Sequence, residues 1–229
     1  MLISGLQKLT LLDFPGRVAC TVFTGGCNFR CPFCHNGGIV MNPGAEPSIP
    51  VEKVFDLLKK RRGVLEGVCI TGGEPTLWKG LWDFAKEIKA MGYSVKLDTN
   101  GTNPEIMHKL ILAGVVDYVA MDIKNCPDKY ADTIGVKGFN LQPVKDSVRL
   151  LMQGTAGYEF RTTVVKGMHT PQDIVEIGKW IQGAQKYFIQ PYRDSDLVID
   201  RSCERHSDEE LQALLAAARE YVPAAELRG

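Results

Sequence analysis

Gly67-Val68-Cys69-Ile70-Thr71-Gly72-Gly73-Glu74-Pro75-Thr76, followed by the amphipathic stretch Leu81–Met91 and a second short apolar run at Ser94–Asp98, sets the architecture. A β-branched run leads through a glycine turn into a helical pattern and back into a strand pattern, which is one βα unit closing on the next parallel strand. The alternation continues. Strands are predicted at Val18–Thr24, Gly67–Thr71, Ser94–Asp98, Asp117–Ile123, Tyr158–Val165 and Tyr187–Gln190. Helices are predicted between and after them at Val51–Arg62, Leu81–Met91, Pro104–Ala113, Val144–Gln153, Pro171–Gln182 and Asp208–Tyr221. Thr170-Pro171 and Ser207-Asp208 are helix starts, and Gly92 and Gly114 are stops. Six βα units in 229 residues fall short of the eight-unit barrel, which takes about 250. The expectation is an α/β fold, a partial (β/α)6 TIM-like barrel, forming one domain over residues 1–229. Gly37–Ile49, rich in Gly, Pro and Asn, reads as a long loop.

Composition narrows the function classes. Twenty-seven basic residues balance twenty-seven acidic ones, so no sequence-independent grip on nucleic acid or an anionic membrane is expected. Met1–Leu12 lacks the features of a secretory signal, and no stretch approaches about 18 uninterrupted apolar residues. A soluble, cytoplasmic protein is the expectation. Seven cysteines, an odd number with three crowded together, suit a reduced compartment and a metal or redox site.

The crowded three are Cys27, Cys31 and Cys34, in Cys27-Asn28-Phe29-Arg30-Cys31-Pro32-Phe33-Cys34 directly after the first predicted strand; the loop spans residues 25–38. Thiolates are the usual ligands of a four-iron cluster. Three of them leave one iron open to a ligand, much as a catalytic zinc keeps an open position. Structural zinc with a fourth ligand such as His35, or a metal-free buried group, is the other reading; zinc sites more often pair two Cys-x-x-Cys units, and Cys20, Cys69, Cys126 and Cys203 supply no second one. Free cysteines of that kind pack as small hydrophobes.

The spacing, with aromatic Phe33 before the last cysteine, resembles the signature of the radical S-adenosylmethionine superfamily. The resemblance implies that Cys27, Cys31 and Cys34 hold a [4Fe-4S] cluster, that S-adenosylmethionine chelates its fourth iron, and that Phe33 lies beside the adenine. Reductive cleavage would then give methionine and a 5′-deoxyadenosyl radical.

Other candidates gather at the strand ends. Gly72, Gly73 and Glu74 form a turn whose glycines permit close backbone approach and whose carboxylate adds an acceptor at the rim. Taken alone it is only a turn; after the cysteine loop it resembles the family's motif for the methionyl amino group. Asp98-Thr99-Asn100-Gly101 and Met121-Asp122-Ile123-Lys124 end adjacent strands, and carboxylates there are costly unless paired or cation-bound. A simple Asp98–Lys124 ion pair is one reading. Resemblance to the pyruvate formate-lyase activating enzymes implies another, with Lys124 meeting the S-adenosylmethionine carboxylate and Asp98, Thr99 and Asp122 binding a monovalent cation.

Arg161 falls where those activases place an arginine near the cofactor, although Lys166 replaces their proline. Gln190-Pro191-Tyr192 either touches the adenosine or packs the rim. His35 reads as a surface-loop residue or a tuner of the cluster. His108, His169 and His206 read as noncatalytic, and Trp78 and Trp82 as packing for the second helix.

The opening, Gly5 to Thr24 and on through Gly25-Gly26-Cys27 to Cys34-His35-Asn36, is similar to the start of anaerobic ribonucleoside-triphosphate reductase activating proteins. That likeness implies a glycyl-radical enzyme as partner and a low-potential donor such as flavodoxin or ferredoxin. A radical enzyme acting on a small molecule, in the style of the deazapurine synthases, is one alternative. A zinc-stabilised or electron-transfer module is the other.

Overall fold

A computed structural model describes residues 2–45 and 47–229. In chain order its elements are β1 (Ile3–Thr10), β2 (Ala19–Thr24), α1 (Gly37–Met41), α2 (Val51–Lys60), β3 (Gly67–Gly72), α3 (Leu81–Ala90), β4 (Ser94–Thr99), α4 (Pro104–Leu112), β5 (Tyr118–Asp122), α5 (Tyr130–Thr133), α6 (Gln142–Met152), β6 (Gly157–Val164), α7 (Pro171–Trp180), β7 (Tyr187–Pro191), α8 (Asp208–Arg219) and β8 (Ala225–Leu227). All six predicted strands and six predicted helices are present, with ends shifted by a residue or two.

One sheet carries every strand in sequence order. Pairing is parallel from β2 through β8, and only β1 runs antiparallel, against β2. Such an open, sequentially wound sheet with helices between its strands is the expected partial barrel, extended by one strand at each edge. Val68 and Ile70 of β3, Val95 and Leu97 of β4 and Val119 and Met121 of β5 pack into one hydrophobic core with Leu81, Phe84 and Ile88 of α3 and Met107 and Leu110 of α4. Because strand side chains alternate, the residues between those apolar positions, Cys69, Lys96, Asp98, Ala120 and Asp122, belong to the opposite face. That alternation brings chemistry to the concave side.

Local signals explain the helix limits. Thr170 and Ser207 each form a reciprocal capping box, with Asp173 and Glu210, satisfying donors that a helix start leaves free. Gly92 and Gly114 take positive φ (92° and 65°) just past α3 and α4, conformations that suit glycine at a helix end.

Three features depart from the sequence expectation. The Gly37–Ile49 segment is not loop throughout, because α1 occupies its first five residues and its Gly37 is packed so tightly that a Cβ would lie 2.4 Å from the Leu197 carbonyl oxygen. β1 was not predicted: Gly5, Gln7 and Lys8 dilute its pattern, and its pairing with β2 supplies the order. β8 has three residues, too few to show periodicity. Arg228 just beyond it reaches back to buried Glu159 of β6 with two hydrogen bonds, 2.6 and 3.0 Å, and stacks on Phe188. No helix among the described residues is long and apolar enough to cross a membrane.

Candidate active site

The carboxyl ends of the strands and the loop after β2 enclose a cleft of about 790 Å³, within the usual range for small-molecule sites, about 300–1,000 Å³. Cys27, Cys31, Phe33, Cys34, Gly72, Gly73, Asp98, Thr99, Asp122, Lys124, Arg161 and Gln190 all line it. Eight strand-end positions nominated separately from the sequence therefore share one cavity with the cysteine loop. Glu74 is the exception.

Glu74 is 2% exposed, and its carboxylate is turned inward, away from a free position on the rim. It accepts from Thr76 N (3.0 Å), Thr76 Oγ1 (2.5 Å), Thr99 Oγ1 (2.8 Å) and Asn100 N (2.6 Å). Burial raises its pKa, and those four donors pull the other way. The carboxylate clamps the end of β3 to the end of β4. The glycines before it also work within the protein. A Cβ on Gly73 would lie 1.8 Å from the Gly26 carbonyl oxygen, and Gly72 has φ 111° with Thr24 backbone 2.4 Å from its own would-be Cβ. Gly73 N and Glu74 N donate to Thr24 O and Gly26 O, each at 2.8 Å. The double glycine thus presses the β3 turn against the root of the cysteine loop. Gly73→Ala should lower stability by at least about 2 kcal/mol, since a backbone oxygen cannot move aside as a side chain can; an unchanged melting temperature would disprove this.

The cysteines are free thiols. Phe29 N donates to Cys27 Sγ at 3.3 Å, and Asn100 Nδ2 lies 3.8 Å from the same sulfur while donating to Asn28 Oδ1 at 2.8 Å. Donors aimed at sulfur suit a thiolate ligand. Burial pushes the Cys31 thiol up to about 12 and also raises Cys27, so charge on these sulfurs calls for a bound metal. Among the described residues no three His, Cys, Asp or Glu side chains converge to hold a single metal ion. A polynuclear cluster asks for something different, one thiolate for each of three irons. The three thiols around one cleft fit that group.

Across the cleft runs a chain of ion pairs. Lys96 Nζ donates to Asp98 Oδ1 at 2.5 Å, and Arg161 donates from Nη1 to Asp98 Oδ2 (3.1 Å) and from Nε to Asp122 Oδ1 (2.8 Å). Lys124 Nζ completes it at Asp122 Oδ2, 2.9 Å. The Asp98–Lys124 pair considered from the sequence is therefore replaced by two others, with Arg161 as the bridge. Burial works against every charge in the chain, yet the opposite charges prevail. Arg161 with Lys96 or Lys124 holds Asp98 and Asp122 below the ordinary carboxylate range, and the aspartates keep Lys96 and Lys124 above the ordinary lysine value. Three cations face two carboxylates, so the cleft presents excess positive charge to an anionic ligand group such as the carboxylate of S-adenosylmethionine.

Three residues of this site were missed or undervalued in the sequence. Lys96 sits in a strand pattern that reads as core, and only its partner Asp98 two residues on hints at a buried charge. Asn100, inside the Asp98–Gly101 motif, joins the cysteine loop to β4. His169 is 1% exposed; its Nδ1 accepts from Val165 N at 3.1 Å, so Nε2 carries the proton and donates to Lys124 O at 2.8 Å. It fixes the Lys124 backbone and meets the Phe33 ring edge-on at 6.2 Å. His35 is an exposed loop residue beside Tyr192. Trp78 packs on Phe84 of α3 as expected, whereas Trp82 is partly solvent-exposed.

Comparison with known proteins agrees with this geometry. A protein of Methanocaldococcus jannaschii provisionally named a glycyl-radical enzyme activating enzyme is 30% identical over 228 residues, covering 96% of this chain and 93% of its own. The pyruvate formate-lyase-activating enzyme of Listeria monocytogenes is 33% identical over 140 residues, 56% of this chain and 55% of that one. A 7-carboxy-7-deazaguanine synthase of Thermococcus kodakarensis is 27% identical, covering 77% and 75%. Among solved structures, SuiB of Streptococcus suis bound to S-adenosylmethionine superposes with TM-score 0.71 at 13% identity, over 89% of this chain and 48% of SuiB, which speaks to the fold. The sequence pattern of the radical SAM superfamily matches residues 21–181. With the cysteine loop, the parallel sheet and the cationic cleft in agreement, the chain belongs to the radical SAM superfamily, enzymes that use a [4Fe-4S] cluster and S-adenosylmethionine.

Proposed function

We propose that this protein activates a glycyl-radical enzyme, with an anaerobic ribonucleoside-triphosphate reductase as its target. The observation that carries the reading is the match to the Methanocaldococcus jannaschii protein across nearly the whole of both chains. The Gly5–Asn36 sequence, similar to the start of reductase activating proteins, supports a reductase as the partner. The mouth of the cleft is consistent with a macromolecular substrate, because Leu11 and Leu12 line it and are 68% and 88% exposed.

Cys27, Cys31 and Cys34 would hold the cluster, and cluster and cofactor together would supply the chemistry, one-electron reductive cleavage of the sulfonium to methionine and a 5′-deoxyadenosyl radical, with the electron from a low-potential donor such as flavodoxin or ferredoxin. In the proposed reaction a hydrogen atom then passes from a glycine α-carbon of the partner, leaving 5′-deoxyadenosine and a glycyl radical. The protein's own residues orient and shield. Lys124 and Arg161 place the methionyl carboxylate, Phe33 and Gln190 border the adenosine, and the cleft limits which hydrogen lies within reach. We place the reaction in the cytoplasm.

Incubating the reduced protein and S-adenosylmethionine with its cognate reductase should give a glycyl-radical doublet in electron paramagnetic resonance. Absence of that signal, with 5′-deoxyadenosine still formed, would overturn the assignment. The deazaguanine synthase relative favours a second reading, a small-molecule substrate. Turnover of a purine-like compound without any protein partner would establish it.

A further inference from the structure

Resemblance to the pyruvate formate-lyase activating enzymes implied that Asp98, Thr99 and Asp122 hold a monovalent cation. The side chains present do not fit that ion. Hard cations are held by oxygen ligands, and a carboxylate whose charge is already compensated by neighbouring cations is a poor one for a further ion. Here Asp98 gives one oxygen to Lys96 and the other to Arg161, and Asp122 gives one to Arg161 and the other to Lys124. Thr99 Oγ1 donates to Glu74 Oε1 and accepts from Gly101 N. An added alkali ion would enter a cluster that already has more cations than anions.

Lys96 is the unexpected member. Its side chain is 2% exposed, it shares a strand face with Asp98, and its Nζ lies 3.8 Å from Cys69 Sγ on β3. Burying an ammonium this completely is costly unless a partner compensates it, and Asp98 is the only carboxylate within its reach among the described residues. The ammonium is a compact point charge, comparable in that respect to an alkali ion, but held on β4 and unable to exchange with solvent. We propose that Lys96 takes the place of the inorganic cation: a tethered ammonium sets Asp98, and through Arg161 sets Asp122 and Lys124, so that the cleft binds the carboxylate of S-adenosylmethionine without any monovalent metal ion.

Equilibrium binding tests this on the reconstituted enzyme with its cluster oxidised, so that S-adenosylmethionine is bound but not cleaved. Titrations are made with potassium, sodium or tetramethylammonium as the sole monovalent cation, the last being too large to enter the site. The wild-type dissociation constant should agree within about twofold across all three. Lys96→Met, which leaves Asp98 short of one cationic partner, should bind roughly tenfold more weakly in tetramethylammonium and recover most of that loss in potassium or sodium. A roughly tenfold loss of wild-type affinity on withdrawing alkali ions would overturn the proposal. Wild-type-like binding by Lys96→Met in all three media would overturn it too, as would uniformly weak binding by a folded variant. If the variant does not fold, the wild-type series still decides, because cation dependence there is incompatible with Lys96 filling the role.

Discussion

Cys31→Ala is expected to reduce formation of 5′-deoxyadenosine by at least about 100-fold, because a four-iron cluster held by three protein thiolates does not survive with two. Cys31 is the most deeply buried of the three sulfurs and lines the same cleft as Lys124, Asp122 and Arg161. Its burial alone disfavours the thiolate, so charge on this sulfur depends on a bound metal. Anaerobic reconstitution with iron and sulfide, dithionite reduction and chromatographic assay of 5′-deoxyadenosine measure the effect, with iron per chain and cluster absorbance read in parallel. Cys203→Ser is the control. That thiol is partly buried but lies outside the cleft lining, and its loss should leave product formation within about twofold. Wild-type levels of product from Cys31→Ala would remove the cluster assignment.

The second large effect is on stability. Arg161→Met should destabilise the fold by about 2–3 kcal/mol, because it removes the charged hydrogen bonds to the partly buried carboxylates of Asp98 and Asp122 and leaves each with its lysine alone. For a chain of this size that corresponds to a fall in melting temperature of roughly 5–10 °C. Anaerobic thermal unfolding followed by circular dichroism reads it directly. Adding Asp122→Asn to Arg161→Met should restore part of the loss, since the carboxylate left short of a partner is then neutral and Lys124, unlike Lys96, is exposed enough to be solvated. No recovery in the double variant would mean that Arg161 acts through packing of its stem, which lines the cleft, and not through its charge. Cofactor binding should weaken as well, for the excess positive charge facing the methionyl carboxylate disappears with the guanidinium.

These two residues also show how differently parts of the site announce themselves. Cys27, Cys31 and Cys34 are legible at once, because ligand chemistry is local: three thiols within eight residues must lie near one another whatever the fold. Asp98, Asp122 and Arg161 are legible as strand-end polar residues, but their pairing is not. A sequence names charges without saying which strand stands beside which, and the Asp98–Lys124 pair gave way to Arg161 bridging β4 to β5 from β6.

From sequence alone came the βα alternation, hence the parallel partial barrel, all six central strands, and the cysteine loop placed at their carboxyl ends. Period and turn chemistry are properties of neighbouring residues, and they carried these conclusions. The tertiary structure alone decided the edges of the sheet, where β1 and β8 owe their order to a partner strand, and the inward turn of Glu74, whose four hydrogen-bond donors come from Thr76 beside it and from Thr99 and Asn100 on the next strand end. It also decided the role of Lys96. Buried within an apolar strand, that lysine has a function only because folding sets Asp98 beside it and closes Arg161 and Lys124 around the same two carboxylates, a charge balance that exists in three dimensions and not along the chain.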